Sequence, residues 1–166
     1  MQAPSDTDIA ITFDALVTDA LPNRGGLEAW TSLLRAHATL MRRLETDLER
    51  ETGLALADYD VLAQLALANG ELRMSELAAR ALISRSGMTR RVARLVEEGL
   101  VSRIKPDADA RGVVITISDT GLRRLTETTP VHARGISDLF VAKLDDQELT
   151  VLRGALDKVT VDCTFG

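Results

Sequence analysis

The stretch RMSELAARALISRSGMTRRVARLVEEGLVSRIKPDADARGVVITIS, residues 73–118, decides how the rest of the chain is read. Its spacing predicts a short helix over residues 75–81, a tight turn, and a second helix over residues 85–98. Ser84 offers a side-chain oxygen at the N-cap of the second helix, and Gly99 stands at its C-terminal stop. At about 100° per residue, Met88, Val92, Leu95 and Val96 share one face, and Ser86, Arg90, Ala93 and Arg94 share the other. Leu77, Ala78 and Leu82 of the first helix brace the apolar side. Two helices joined so closely, the second presenting small polar and cationic side chains, make a helix-turn-helix whose second helix suits a DNA major groove.

Beyond Gly99, residues 101–105 and 113–118 alternate with the period of strands, and Val113, Ile115 and Ile117 fall on one face. The polar loop PDADARG, residues 106–112, joins them into a β-hairpin wing with Arg111 near its tip. A ribbon beside a recognition helix carries such an arginine into the adjacent minor groove, where a narrow groove concentrates negative potential. Asp109 is placed to orient it.

Around this unit, 166 residues amount to one domain or one module with helical extensions. A hydrophobic content of 45% excludes global disorder, and 3% aromatics means a core of Leu, Val and Ala, which favours helices. The net charge of −5 is unusual for a DNA binder, but its distribution matters more. Residues 84–105 carry Arg85, Arg90, Arg91, Arg94, Arg103 and Lys105 against Glu97 and Glu98, a net +4 in one block. Asp6, Asp8, Asp14 and Asp19 make the first 23 residues purely acidic.

Residues 1–25 read as an acidic arm with a short helix ending before Leu21-Pro22. Residues 26–53 form a long helix on the pattern Leu27, Trp30, Leu33/Leu34, His37, Leu40/Met41, Leu44 and Leu48, stopped by Gly53. A helix of that length, roughly 40 Å, outruns a small core and meets another chain. Residues 54–118 form the winged helix-turn-helix lobe, beginning with a helix over 54–68 closed by Asn69-Gly70. Residues 119–166 supply C-terminal dimerisation helices. Ser118 caps the first, which carries Leu122, Leu125, Thr129, His132, Ile136 and Leu139/Phe140 as a stripe and is kinked or divided at Pro130. The last opens at Leu144-Asp145-Asp146 with Leu149, Leu152, Leu156 and Val159 on one side. The class expected is mainly α with a small β wing, and the leftover apolar stripes call for a two-fold dimer on a palindromic site.

SELAARALISRSGMTRRVARLVEEGLVSR resembles the helix-turn-helix of the MarR-type winged helix regulators, down to Ser86-x-x-Thr89-Arg90 and the exit Leu95-x-x-x-Gly99-Leu100-Val101. PDADARGVVITISDTG resembles their wing, with Asp109-x-Arg111 and Ile117-Ser118-x-x-Gly121. GLALADYDVLAQLA and FVAKLDDQELTVLRGAL are similar to further family segments, so that the resemblance spans about 140 residues. It implies a homodimer on a pseudo-palindromic operator, usually a repressor, released by a small, often phenolic or aromatic, ligand. Two positions depart from the pattern. Ala110 replaces a common wing arginine, and Arg73 replaces the Ser or Thr that caps the first helix of the motif, a cap worth about 1 kcal/mol.

The candidate DNA contacts are Arg90 and Arg94 for guanine edges or phosphates, and Arg85 and Arg91 for phosphates, which fix register without reading sequence. Ser86 and Thr89 hydrogen bond to phosphate or base, unless Thr89 bonds back to its own helix. Arg103 and Lys105 contact phosphate or protect a strand edge. Arg111, oriented by Asp109, serves the minor groove. The resemblance places an effector pocket between the dimer helices and the DNA-binding lobe, and Trp30, His37, Tyr59, Asp60 and His132 are the unusual side chains available to line it. A histidine there would make DNA affinity pH-sensitive.

No cofactor or metal is expected, since His37, His132 and Cys163 lack the clustered spacing of a zinc site. Enzyme motifs are missing too: there is no Gly-x-Ser-x-Gly elbow, phosphate-binding glycine loop or His-Glu-x-x-His. Without a signal peptide or an apolar run of the ~18 residues a membrane span needs, a cytoplasmic location with no membrane partner is expected. Two alternatives stand beside the DNA-binding regulator: a winged helix used only for protein contact, and a redox-responsive regulator acting through Cys163.

Overall fold

The computed structural model describes residues 6–20, 24–81, 83–104 and 112–161. The chain divides into two compact units, residues 1–42 and 43–166. The first holds helix α1 (Asp6–Ala20) and the beginning of helix α2 (Arg24–Thr52). α1 is described as far as Ala20; Leu21-Pro22, where the sequence predicts its end, lies outside the described residues. Within this unit Ile11 and Leu16 of α1 and Trp30, Leu33, Leu34 and Met41 of α2 are exposed.

The second unit contains the end of α2, then α3 (Leu56–Leu67), strand β1 (Glu71–Arg73), α4 (Met74–Arg80), α5 (Arg85–Glu97), β2 (Val101–Ile104), β3 (Val114–Ile117), α6 (Asp119–Leu139), a 3-10 turn (Val141–Lys143) and α7 (Asp146–Val161). One hydrophobic cluster joins Leu44 and Leu48 of α2, Val61, Leu62 and Leu65 of α3, Leu77 of α4, Met88, Val92 and Leu95 of α5, and Ile115 of β3. Helix ends are closed from the sequence outward. The Glu45 carboxylate accepts from the Leu56 N–H at 3.1 Å, satisfying a donor at the start of α3 that no local side chain caps. α5 begins with the Ser84 hydroxyl accepting from the Gly87 N–H at 3.2 Å. It ends in a Schellman closure: Leu100 N–H reaches the Leu95 carbonyl at 2.9 Å, Gly99 N–H reaches Val96, and Gly99 takes φ +70°. At α7, Asp145 and Glu148 cap each other reciprocally, at 2.8 and 2.9 Å. At α4 only half of that arrangement forms, Glu76 accepting from the Arg73 N–H at 3.0 Å, because an arginine side chain has no acceptor to return.

Four expectations are corrected. The wing is not a bare hairpin: β1 adds a third strand, in the antiparallel order β1-β3-β2, with Leu72 opposite Ile115 on one side and Arg103 on the other. Three residues are too few to show a period of two, and only pairing with β3 makes them a strand. Val96 is 37% exposed; the last turn of α5 carries it off the core, which Met88, Val92 and Leu95 fill. α6 runs unbroken through Pro130. The proline costs it one hydrogen bond, but Arg134 pairs with Glu51 and Gly135 lies close to Leu44, so the far half stays docked. The buried side of α6 is Gly121, Leu125 and Thr128, while Leu122 and Ile136 are exposed. Thr128 tolerates full burial because its hydroxyl donates to the Arg124 carbonyl at 2.8 Å.

The Ser118-x-x-Gly121 motif has a physical basis. Ser118 Oγ accepts from Gly121 N–H at 2.9 Å and donates to the Gly99 carbonyl at 2.7 Å, tying the start of α6 to the end of α5. A Cβ at position 121 would be driven into the Leu100 backbone carbonyl, which no rotamer change relieves. Gly121→Ala should therefore destabilise the second unit by about 1–3 kcal/mol, the cost of overpacking, read as a lower urea midpoint.

Candidate nucleic-acid interface

α5 presents two chemically different sides. Met88, Val92 and Leu95 are fully buried, whereas Arg85, Ser86, Thr89 and Arg90 are exposed. Among the described residues Arg85 and Arg90 have no ion-pair partner, so their charges stay available to a ligand. The Thr89 hydroxyl donates to the Arg85 carbonyl at 2.9 Å, the local alternative foreseen for it, and Ser86 Oγ lies 3.3 Å from Ser84 Oγ. A cavity of about 290 Å³ opens beside this face, lined by Arg73, Met74, Ser75, Arg85, Thr89, Gly112 and Val113. Arg73, read in the sequence only as a poor cap, thus lies beside Arg85 and the root of the wing.

Three other cations of the block, Arg91, Arg94 and Arg103, are engaged internally. Asp58 of α3 is 3% exposed, and its two oxygens accept from Arg91 Nη1 at 2.7 Å and from Arg94 Nη2. Arg94 also approaches Glu98 at 3.7 Å, and its pairing with Asp58 holds its pKa above the usual arginine value. Arg103 of β2 donates to the Thr89 carbonyl at 3.2 Å, tethering the wing to α5. Of the sequence-derived contacts, then, the structure groups Arg85, Ser86, Thr89 and Arg90 on one open face and commits Arg91, Arg94 and Arg103 to protein partners. Lys105, Asp109 and Arg111 lie outside the described residues, as does Cys163. Asp58 was the residue sequence reasoning missed; a carboxylate in the first turn of a mostly apolar helix was the signal that could have found it.

The residues considered for an effector fall into two groups. Trp30 and His37 are exposed on α2 in the first unit. In the second unit Tyr59 and His132 stack at 4.5 Å between ring centroids, tilted by 49°. His132 Nδ1 is buried and has no hydrogen-bond partner among the described residues. Desolvation pushes the His132 pKa below its ordinary value, with the nearby Asp60 carboxylate pulling it back up. Asp60 lies at the surface, yet the protein around its carboxyl raises its pKa, opposed by His132 and Arg91. No group of three or more His, Cys, Asp or Glu able to hold a metal occurs among the described residues, and no described helix is long and apolar enough to cross a membrane.

Fold and exposed helix face together define a winged helix-turn-helix protein. A family model described as MarR family matches residues 52–112. AbsC of Streptomyces coelicolor, a MarR family transcriptional regulator, superposes with a TM-score of 0.76 at 25% identity over 98% of each chain. Sco3205 of the same organism, a MarR family regulator solved in complex with DNA, gives 0.78 at 29% identity over 83% of this chain and 87% of that one. BpsR of Bordetella bronchiseptica, whose DNA binding is regulated by 6-hydroxynicotinic acid, shares the fold with a TM-score of 0.71 at 20% identity, over 80% and 98%. A comparison with curated proteins gave no sequence match. Residues 52–112 thus match the MarR family, and the fold is the one that MarR family transcriptional regulators share.

The shifted histidine carries a testable pH dependence. Its folded pKa is below the unfolded 6.5, so as the pH drops through 6.5 the unfolded chain takes up the proton first and stability falls. Asp60 acts oppositely: raised above 3.8, it is protonated first in the folded state, which gains stability at more acid pH. His132→Gln should therefore shrink the loss of thermal stability between pH 7.5 and 5.5, seen as a smaller Tm difference than in the parent protein.

Proposed function

We propose that this protein is a sequence-specific DNA-binding transcriptional repressor that acts as a homodimer on a pseudo-palindromic operator and is released by a small aromatic or phenolic ligand. The observation that carries the reading is the exposed face of α5, where Arg85, Ser86, Thr89 and Arg90 stand over a fully buried apolar face. Arg90 is assigned to a base edge and Arg85 to phosphate, with Arg111 in the minor groove on the strength of the sequence. The DNA complex of Sco3205 supports this use of the fold. Exposed Val151 and Val159 on α7, with Leu122 and Ile136 on α6, support dimerisation, because a second chain would take these apolar side chains out of water. The Tyr59–His132 pair, with its unpartnered ring nitrogen, supports an aromatic acid as effector: one face to stack upon and one polar atom to bind.

The test is an anisotropy titration against DNA selected from a random pool, at two salt concentrations, with and without aromatic carboxylates. Tight binding that weakens steeply with salt is expected, and one carboxylate class should reverse it. Arg90→Ala should lower affinity for the selected site about ten-fold or more, the 1–3 kcal/mol of a base contact, while unfolding at the same urea concentration as the parent. Unchanged affinity would remove Arg90 from the interface, and binding no tighter than to random DNA would favour a protein partner.

A further inference from the structure

Six of the basic residues 84–105 look interchangeable in sequence, but Asp58 separates them. Its carboxylate is buried at the α3 side of the lobe, and both oxygens are occupied by α5: Arg91 Nη1 at 2.7 Å on one and Arg94 Nη2 on the other. Arg91 and Arg94 are three residues apart, hence on one side of the helix, and α3 itself is locked into the core by Val61, Leu62 and Leu65. We infer that Asp58 is the positioning residue of the DNA-reading helix: it fixes the angle of α5 and withholds Arg91 and Arg94 from DNA phosphate, leaving Arg85, Ser86, Thr89 and Arg90 to make the contacts. This rests on the DNA-binding reading above.

Two physical arguments support the assignment. Packing of Met88, Val92 and Leu95 is non-directional, and a small rotation of α5 about its axis changes little buried area. Guanidinium–carboxylate bonds are directional, so two of them on one fixed carboxylate define the rotation and with it which side chains face the groove. Charge is the second. Each arginine free to reach phosphate strengthens binding to every sequence alike, whereas selectivity requires that indifferent affinity be kept down. A buried anion that occupies two cations does this without removing them from the helix. Arg103, donating to the Thr89 carbonyl, ties a third guanidinium to the middle of α5 but keeps its charge, so Asp58 alone does the withholding.

The experiment compares the full-length parent, Asp58→Asn and Arg94→Ala on the selected duplex and on a random duplex of equal length across a salt series. Asp58→Asn should bind random DNA more tightly, with a slope of log K against log salt steeper by about 0.9 for each arginine released, and selectivity should fall at least ten-fold. Arg94→Ala should keep the parent's slope while losing selectivity. A purely structural role for Asp58 would lower binding to both duplexes in parallel with unfolding and leave the slope alone, which would overturn the proposal. So would a slope shallower by about 0.9 in Arg94→Ala, the mark of a direct phosphate contact. If Asp58→Asn does not fold, Arg94→Ala decides alone, since Arg94 is half-exposed and its loss keeps the Arg91 pair. A parent protein that fails to discriminate any sequence removes the underlying reading at the first step, before the variants are compared.

Discussion

Everything in the second unit depends on one side of α5 being sealed while the other stays open. Met88, Val92 and Leu95 bury completely because α3, α4 and the small sheet all contribute apolar side chains to one cluster. Burying a Met, Val or Leu side chain is worth about 1.5–3 kcal/mol apiece, enough to hold a helix of 13 residues that carries four arginines. The seal is therefore tertiary in origin. A helix with so polar an outer face gains little from its own propensity.

Directional bonds then add what packing leaves undefined. Ser84 and the Gly99 closure fix where α5 begins and ends; Ser118 fastens its exit to α6; Arg103 fastens the wing to its middle; Asp58 fastens its inner cations to α3. Each uses a short polar bond at a place where a backbone or charged group would otherwise be left unmatched. The same economy explains Gly121, where the chain passes too close to the Leu100 carbonyl for any side chain.

The Tyr59–His132 pair and Asp58 occupy the same short stretch of α3, one facing α6 and the other α5. Asp60 lies between their influences, feeling both His132 and Arg91. A ligand or proton arriving at the aromatic pair therefore acts within one turn of the carboxylate that holds α5. Under the proposed function, that adjacency is a short physical route from a bound molecule to the exposed face of α5.

The sequence by itself determined what is local. Periodicity located α5 to within one residue at its end, Ser84 and Gly99 marked its limits, and alternation exposed β2 and β3, because caps and side-chain phase depend on neighbours a few positions away. Tertiary structure decided what depends on distant partners. β1 exists only against β3; Val96 and Leu122 are exposed although their spacing places them on apolar stripes; and the fates of Arg91 and Arg94 were settled by a carboxylate 33 and 36 residues away. A helical wheel shows on which side an arginine emerges, but its long, flexible stem lets the charge reach whichever anion the fold brings near. Only the folded chain shows where that anion is.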